Sequence, residues 1–446
     1  MFMILYSLLL AIAFAVSAPW WLWRMATSGR YREGLRERLG FVPAAVRAAV
    51  AGLDAKKRTV WVHAVSVGEV LAAERLIAEL KLALGDGWVV AVSTTTATGQ
   101  KIARERLAGS PVFFYPLDFA FAVRAWLRVL RPSLFVLVES EFWPRMLVEC
   151  ERAGVPVAVV NARVSDRSFP QYMRLRRLWK PLLGKVSLFL AQGEESAERL
   201  RAIGAPVERV RVSGNLKYDL QPPETEMVKV LRPLLARRKL IVAGSLLDPE
   251  EKMILGLEWK LFREVHETVL LMAPRHKERF AEVTELALKG IGSKVYLASE
   301  LRAQATSRQP LTRLKPMAVV ILDTLGDLSA VYALADAAFV GGSLAPKGGH
   351  NPLEPARFGV PIVMGPSYEN FRETVDAMIE ANGIRIVSNE TELGKTLVDL
   401  LNSPEGAKEL GGRGRAVFES RTGATRTSVE ALAGLVRGEL EQSARG

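Results

Sequence analysis

The sequence predicts an α/β protein of two doubly wound, Rossmann-like halves behind an N-terminal membrane-anchor helix. Three observations carry this. From about residue 58, short apolar runs alternate with longer amphipathic stretches. The alternation breaks once, at 221–238, and then restarts. The first 23 residues hold no charged side chain. The chain is 446 residues long, room for two domains of roughly 100–200 residues each. With 49% hydrophobic and 24% charged residues, it is globular, and disordered or fibrous readings are excluded. Lys and Arg exceed Asp and Glu by 60 to 48, a formal charge of +12. Such a basic balance favours nucleic acid, anionic membrane or phosphorylated substrates as partners and does not choose among them.

The first element is the apolar segment from Met1 to Trp23. About 20 apolar residues suffice to cross a bilayer as a helix. Trp20, Trp21 and Trp23 sit at one end, where indoles prefer the interface, and Arg24, Arg30, Arg32, Arg36 and Arg38 follow. The positive-inside rule then places the rest of the chain in the cytoplasm. A cleaved signal peptide fits less well, because no basic region precedes the apolar run. An interfacial hairpin or buried helix is the other alternative. Residues 24–57 form a basic juxtamembrane segment.

The first half spans 58–220, with apolar runs at 59–65, 88–94, 134–140, 156–162, 187–193 and 209–215 and helix-like stretches such as Val70–Leu84 and Phe119–Leu130. Strand and helix in alternation imply a parallel sheet covered on both faces. A proline- and charge-rich linker is expected at 221–238. The second half, 239–425, repeats the pattern at 240–245, 268–274, 318–324, 337–343 and 361–366. Residues 301–316 read as a surface connection, and 426–446 as a C-terminal helix. In open α/β sheets ligands bind beyond the carboxyl ends of the strands, and a cleft between two such halves is the expected site.

Several chemistries are excluded. One cysteine, Cys150, rules out a disulfide scaffold and any multi-cysteine metal centre. Four histidines (His63, His266, His276, His350) show no metal-ligand spacing, so no metal is expected. No G-x-x-x-x-G-K-[ST], no G-x-G-x-x-G after the first strand and no G-x-S-x-G occurs, which argues against ATP hydrolysis, hydride transfer and a nucleophile elbow.

The polar clusters collect at strand ends. Residues 341–356, GGSLAPKGGHNPLEPA, follow a strand. Gly341, Gly342, Ser343, Gly348 and Gly349 let backbone amides approach an anion, and Lys347 and His350 add cations. Asn351 reads as an N-cap, Pro352 as N1 and Glu354 as N3, making a helix N-terminus that could hold phosphate. Glu354 reads either as an acceptor for ribose hydroxyls or as part of a capping box. Arg275 ends another strand and could give a bidentate fork to phosphate or carboxylate. Gly244-Ser245 and the loop from Asp323 to Asp327 are weaker. The first half offers acids instead: Ser66 and Glu69 after its first strand, and Glu139 and Glu141 after another, which alternation would point to one side. Arg163 and Lys217 end two more strands. Together they describe a substrate rim.

The motifs WVHAVSVGE (61–69), ESEFWP (139–144), NARVSDRSF (161–169), GNLKYD (214–219), PRHKER (274–279), and GGSL with GGHNPLEPA (341–356) resemble those of the 3-deoxy-D-manno-octulosonic acid (Kdo) transferases. The likeness covers nearly the whole chain. It implies a GT-B glycosyltransferase fold, transfer from CMP-Kdo to the lipid A precursor with inversion, no cofactor or metal, no nucleic-acid partner, and a place at the cytoplasmic face of the inner membrane. By position, Glu69 resembles the family's general base, and Arg275, Asn351 and Glu354 its donor-nucleotide contacts. Glu141, Lys217 and Arg163 fall in the cleft with less defined roles. Asp327 stands where glutamate is expected. The alternatives are another GT-B enzyme using a UDP-sugar, including a sugar-nucleotide epimerase, and a non-catalytic membrane-tethered binder.

Overall fold

In the computed structural model the described residues are 2–28, 33–51, 58–219, 224–236, 238–265, 267–291, 294–307, 314–315 and 317–443. Arg30 and Arg32 of the expected basic segment, His266, and 308–313 of the expected surface connection lie outside them. The chain forms two compact units, Met1–Leu220 with Thr422–Gly446, and Gln221–Arg421.

The first unit carries a seven-stranded parallel sheet among the described residues: β1 (Arg58–His63), β2 (Trp88–Thr94), β3 (Val112–Phe114), β4 (Pro132–Val138), β5 (Val157–Ala162), β6 (Leu188–Ala191) and β7 (Val210–Val212). Their order is β3-β2-β1-β4-β5-β6-β7. The sheet is buried on both faces, as its near-continuous apolar runs require. Trp61 of β1 packs into one core with Phe113, Trp126 and Phe135, while Val60 and Val62 enter the other with Val70, Leu76 and Leu80. The helix Val67–Leu84 buries Val70, Ala73, Ile77 and Leu80, one stripe of a 3.6-residue repeat, and stops at Gly85, whose φ is 78°.

The second unit repeats the plan with β8 (Lys239–Leu246), β9 (Thr268–Pro274), β10 (Val295–Leu297), β11 (Val319–Ile321), β12 (Ala337–Val340), β13 (Ile362–Met364) and β14 (Arg385–Ile386), in the order β10-β11-β9-β8-β12-β13-β14. Leu240 and Val242 face one core and Ile241 and Ala243 the other.

Sequence and structure differ at the joins. The expected linker contains the helix Glu226–Leu235, capped by the Thr225 hydroxyl and burying Met227, Leu231 and Leu234 in the second unit; Pro233 misled, since one proline can sit inside a helix. Part of the expected surface connection is the helix Ala298–Thr306. The last helix begins at Ala424 and belongs to the first unit. Asp219 accepts from the N–H groups of Gly423 (2.6 Å) and Thr425 (2.5 Å), and Leu432 and Val436 enter the core beside Leu76. The strands missed, β3, β10 and β14, are edge strands of two or three residues, which pair on one side only.

Candidate functional site

Each sheet reverses its winding once, between β1 and β4 in the first unit and between β8 and β12 in the second. At such a point the loops beyond two neighbouring strands diverge and leave a crevice. The sequence places its polar clusters at both.

In the first unit Ser66 is the N-cap of Val67–Leu84 and Glu69 lies in its first turn. The two halves of the Glu69 carboxylate are held locally: Oε2 accepts from the Val65 N–H at 2.8 Å and Oε1 from the Ser66 hydroxyl at 3.0 Å. These bonds tie the carboxylate to the residues that open its helix. They use only part of the carboxylate's acceptor capacity, since two oxygens offer about four lone-pair sites. Burial, at 9% exposure, pushes the Glu69 carboxyl up to about 7, with Glu139 and Glu141 adding to the rise and the two hydrogen bonds opposing it.

Glu139 and Glu141 do not share a side through strand alternation. β4 ends at Val138, and Glu139 takes a left-handed φ of 62°, uncommon for a residue with a Cβ. Its carboxylate meets the Lys217 Nζ at 3.1 Å, whereas Glu141 is exposed. Although the residue is exposed as a whole, its carboxyl is partly desolvated, and this and then the Glu139 charge raise the Glu141 pKa. Arg163 joins through its backbone, its N–H donating to the Ser140 Oγ at 2.9 Å. Asn161, fully buried at φ 55°, accepts from the Leu216 N–H and thereby ties the end of β5 to the segment bearing Lys217.

In the second unit the glycine-rich loop departs from the phosphate cradle expected of it. The carboxylate of Glu250, fully buried, occupies its amides. Oε2 accepts from Gly342 N–H (2.7 Å), and Oε1 from Ser343 (2.9 Å), Leu344 (2.9 Å) and Ala345 (3.2 Å). The Gly341 N–H donates to the Gly244 carbonyl, Gly348 to the Ser367 hydroxyl, and Gly349 to the Gly342 carbonyl, each at 2.8 Å. A Cβ at Gly341 would lie 2.6 Å from the Ser245 carbonyl oxygen, so close packing requires that glycine. The helix expected at Asn351 is also corrected: it runs only Leu353–Ala356 with Pro352 as N-cap, and the Asn351 side chain accepts from Leu353 N–H at 3.1 Å. One turn gives no dipole worth invoking.

What the loop presents is side chains. Burial raises the Glu354 carboxyl above its ordinary range, while Asn351, Arg275 and Arg357 favour its charged form. Burial, then the Arg275 and His276 charges, depress His350 to about 4, so its ring is neutral. Arg275 is exposed at the end of β9, its N–H held by the Leu246 carbonyl at 2.9 Å. Asp327 is turned inward, accepting from the Thr324 hydroxyl at 2.7 Å and pairing with Arg302 at 3.6 Å. Among the described residues no cluster of three or more His, Cys, Asp or Glu side chains could hold a metal.

Residues 33–220 match the family described as 3-deoxy-D-manno-octulosonic-acid transferase (kdotransferase). A 3-deoxy-D-manno-octulosonic acid transferase of Haemophilus influenzae is 31% identical over 91% of this chain and 92% of its own. The chain belongs to the Kdo transferase family. The Bordetella pertussis transferase of the same name is 32% identical over 92% of this chain and 94% of its own. A UDP-GlcNAc 2-epimerase from Neisseria meningitidis superposes with a TM-score of 0.56 at 14% identity, covering 84% of this chain and 99% of that one. That likeness shows the fold: the Kdo transferase has two Rossmann-like units of GT-B type.

Sequence reasoning missed Glu250 and Asp118. Glu250 lies among other acids at the start of a helix, and no local pattern signals the distant amides it accepts from. Asp118 accepts from the Arg145 and Met146 N–H groups at 2.8 and 2.9 Å, a role nothing in the sequence signals.

Proposed function

We propose that this transferase moves Kdo from CMP-Kdo to a hydroxyl of the lipid A precursor, inverting the anomeric carbon, at the cytoplasmic face of the inner membrane. One observation carries the chemistry: Glu69 stands at the winding reversal of the first sheet with its carboxyl pushed up to about 7, where a general base is most effective near neutral pH. In the step, the acceptor hydroxyl gives its proton to Glu69. Its oxygen forms the new bond to the anomeric carbon, and the bond from that carbon to the CMP phosphate oxygen breaks, its electron pair leaving with CMP. CMP is a stabilised anion, so no general acid is needed, and a nearby cation such as Arg275 suffices. Glu354 would accept from the ribose hydroxyls, with Asn351 holding it and Arg275 on the donor's anionic groups. The roles of Gly341, Gly342 and Ser343 are then to shape the loop around Glu250. A single apolar helix of 25 residues at the N-terminus and the charge of +12 favour an anionic membrane surface.

The test is to offer the purified protein CMP-Kdo or UDP-sugars with a lipid A precursor and follow product mass. A mass gain of one or more Kdo units from CMP-Kdo alone supports the reading, and transfer only from a UDP-sugar overturns it.

A further inference from the structure

We infer that the N-terminal helix does not cross the bilayer but lies in the single leaflet on the side of the first unit, its exposed apolar side chains among the acyl chains. The inference rests on the membrane association proposed above. The helix Phe2–Ser28 has 27 residues, about 40 Å at 1.5 Å per residue, so its length is compatible with spanning. The position of its first turns decides otherwise. The Tyr6 hydroxyl donates to Asp118 Oδ2 at 2.8 Å, and Arg145 donates to the Met3 carbonyl at 3.0 Å and to the Ser7 hydroxyl. Asp118 is 3% exposed and the Arg145 side chain 9%. These are built contacts of the unit's interior and are not chance surface encounters. Farther along, Phe14 meets Phe119 edge-on at 5.9 Å.

The chain beyond the helix returns to the same unit in the short helix Leu35–Arg38. Glu37 accepts from the Phe114 N–H at 2.6 Å, and the Arg38 guanidinium donates to the Thr95 carbonyl at 2.5 Å. Phe114 and Thr95 stand at the carboxyl ends of β3 and β2, and Arg145 just past the end of β4. The first turns of the helix and the chain from Glu37 onward are therefore both tied to the first unit. A spanning helix would carry Met3 and Ser7 about 30 Å away, to the far interface. Asp118 and Arg145 would lose those partners, or these two ionisable side chains would have to enter hydrocarbon, which is costly.

The outward side of the helix fits acyl chains. Ile4, Leu5, Leu8, Leu9, Ile12 and Val16 are all more than half exposed, so apolar side chains cover the helix on several sides. The apolar stretch ends on Trp20 and Trp23, with the Arg24 guanidinium 5.2 Å from the Trp20 ring, the order in which indoles and cations meet headgroups. Exposed Phe121, stacked on Phe119 at 5.7 Å, extends the apolar surface past the point where Phe14 touches the unit.

A protease-cleavable tag joined ahead of Met1 of the full chain tests this in membrane vesicles of the expressing cells. The expected result is loss of the tag in inside-out vesicles and its retention in right-side-out vesicles, with the protein in the membrane fraction of both. The reverse pattern, with the protein still in the membrane, overturns the single-leaflet placement and leaves the transferase reading intact. Recovery of the tagged protein in the soluble fraction overturns membrane association itself, and this inference with it.

Discussion

Glu250 accepts a hydrogen bond of 2.9 Å from the backbone N–H of Ser343, and the partnership redefines the glycine-rich loop. Four successive amides that would suit a phosphate already converge on a carboxylate supplied by the chain. A buried anion holds the loop shut upon itself, and the loop in turn fixes where Asn351 and Glu354 stand.

Removing that anion should be costly. Glu250→Ala leaves the N–H groups of Gly342, Ser343, Leu344 and Ala345 without their acceptor. A buried donor left unpaired costs about 1–3 kcal/mol, so a loss of at least about 3 kcal/mol in unfolding free energy is expected. Glu250→Gln should be nearly as damaging, because an amide NH2 would face donors where an acceptor is required. Thermal unfolding with and without CMP measures both.

Donor binding should depend on Arg275 and Glu354. Alanine at either is expected to weaken CMP binding by about 1.5–3 kcal/mol, the usual worth of a charged hydrogen bond, which is roughly 10- to 150-fold. Calorimetric titration reads this directly. Unchanged affinity in both variants would remove the donor site as drawn.

Deleting residues 1–23 should release much of the protein from membranes, with residual binding that falls with salt. From the sequence the deletion is expected to leave the fold intact; the contacts of Met3, Tyr6 and Ser7 with Asp118 and Arg145 now predict a lower melting temperature. Tyr6→Phe isolates one of them and should cost about 1.5–3 kcal/mol, as for a hydrogen bond to a charged acceptor. Chemical denaturation of the truncated and Tyr6→Phe proteins checks both.

The raised pKa of Glu69 makes activity and stability respond oppositely to pH. Below about 7 its carboxyl already carries the proton, so kcat/KM should rise about tenfold per pH unit up to that point and then level off. The unfolded chain ionises this group first, near 4.5. Its contribution to stability is therefore present below pH 4.5 and is lost as pH rises through about 7. A pH–rate profile beside denaturation curves at matched pH should show both trends, and Glu69→Gln should flatten both.

The two sheets and the N-terminal helix were legible because short continuous apolar runs buried on both faces and a charge-free apolar segment leave strong signals. Edge strands β3, β10 and β14 are too short to do so. At the site, the residue types were legible and several of their partners were not. Glu69 in the opening turn of a helix is a local feature, and the sequence predicts it. Glu250 reaching Ser343 spans 93 positions, and Tyr6 reaching Asp118 spans 112, so no local pattern announces either. The expected helix after Asn351 failed for a related reason: its N-cap is Pro352 rather than Asn351, and Pro355 and the tight return at Gly359, where φ is 70°, stop it after one turn.

The central claim, that Glu69 takes the acceptor's proton, is tested most directly by the turnover of Glu69→Gln with CMP-Kdo and a lipid A precursor. The change keeps the shape of the side chain and removes the base. General-base catalysis is worth about 10²–10⁴-fold, so turnover should fall at least about 100-fold, with CMP affinity within a factor of about three. Glu139→Gln and Glu141→Gln belong in the same assay as the rival bases. Normal turnover by Glu69→Gln, with Glu141→Gln inactive, would contradict the assignment and leave Glu69 as a first-turn acid that complements its helix dipole, worth about 0.3–1 kcal/mol of stability.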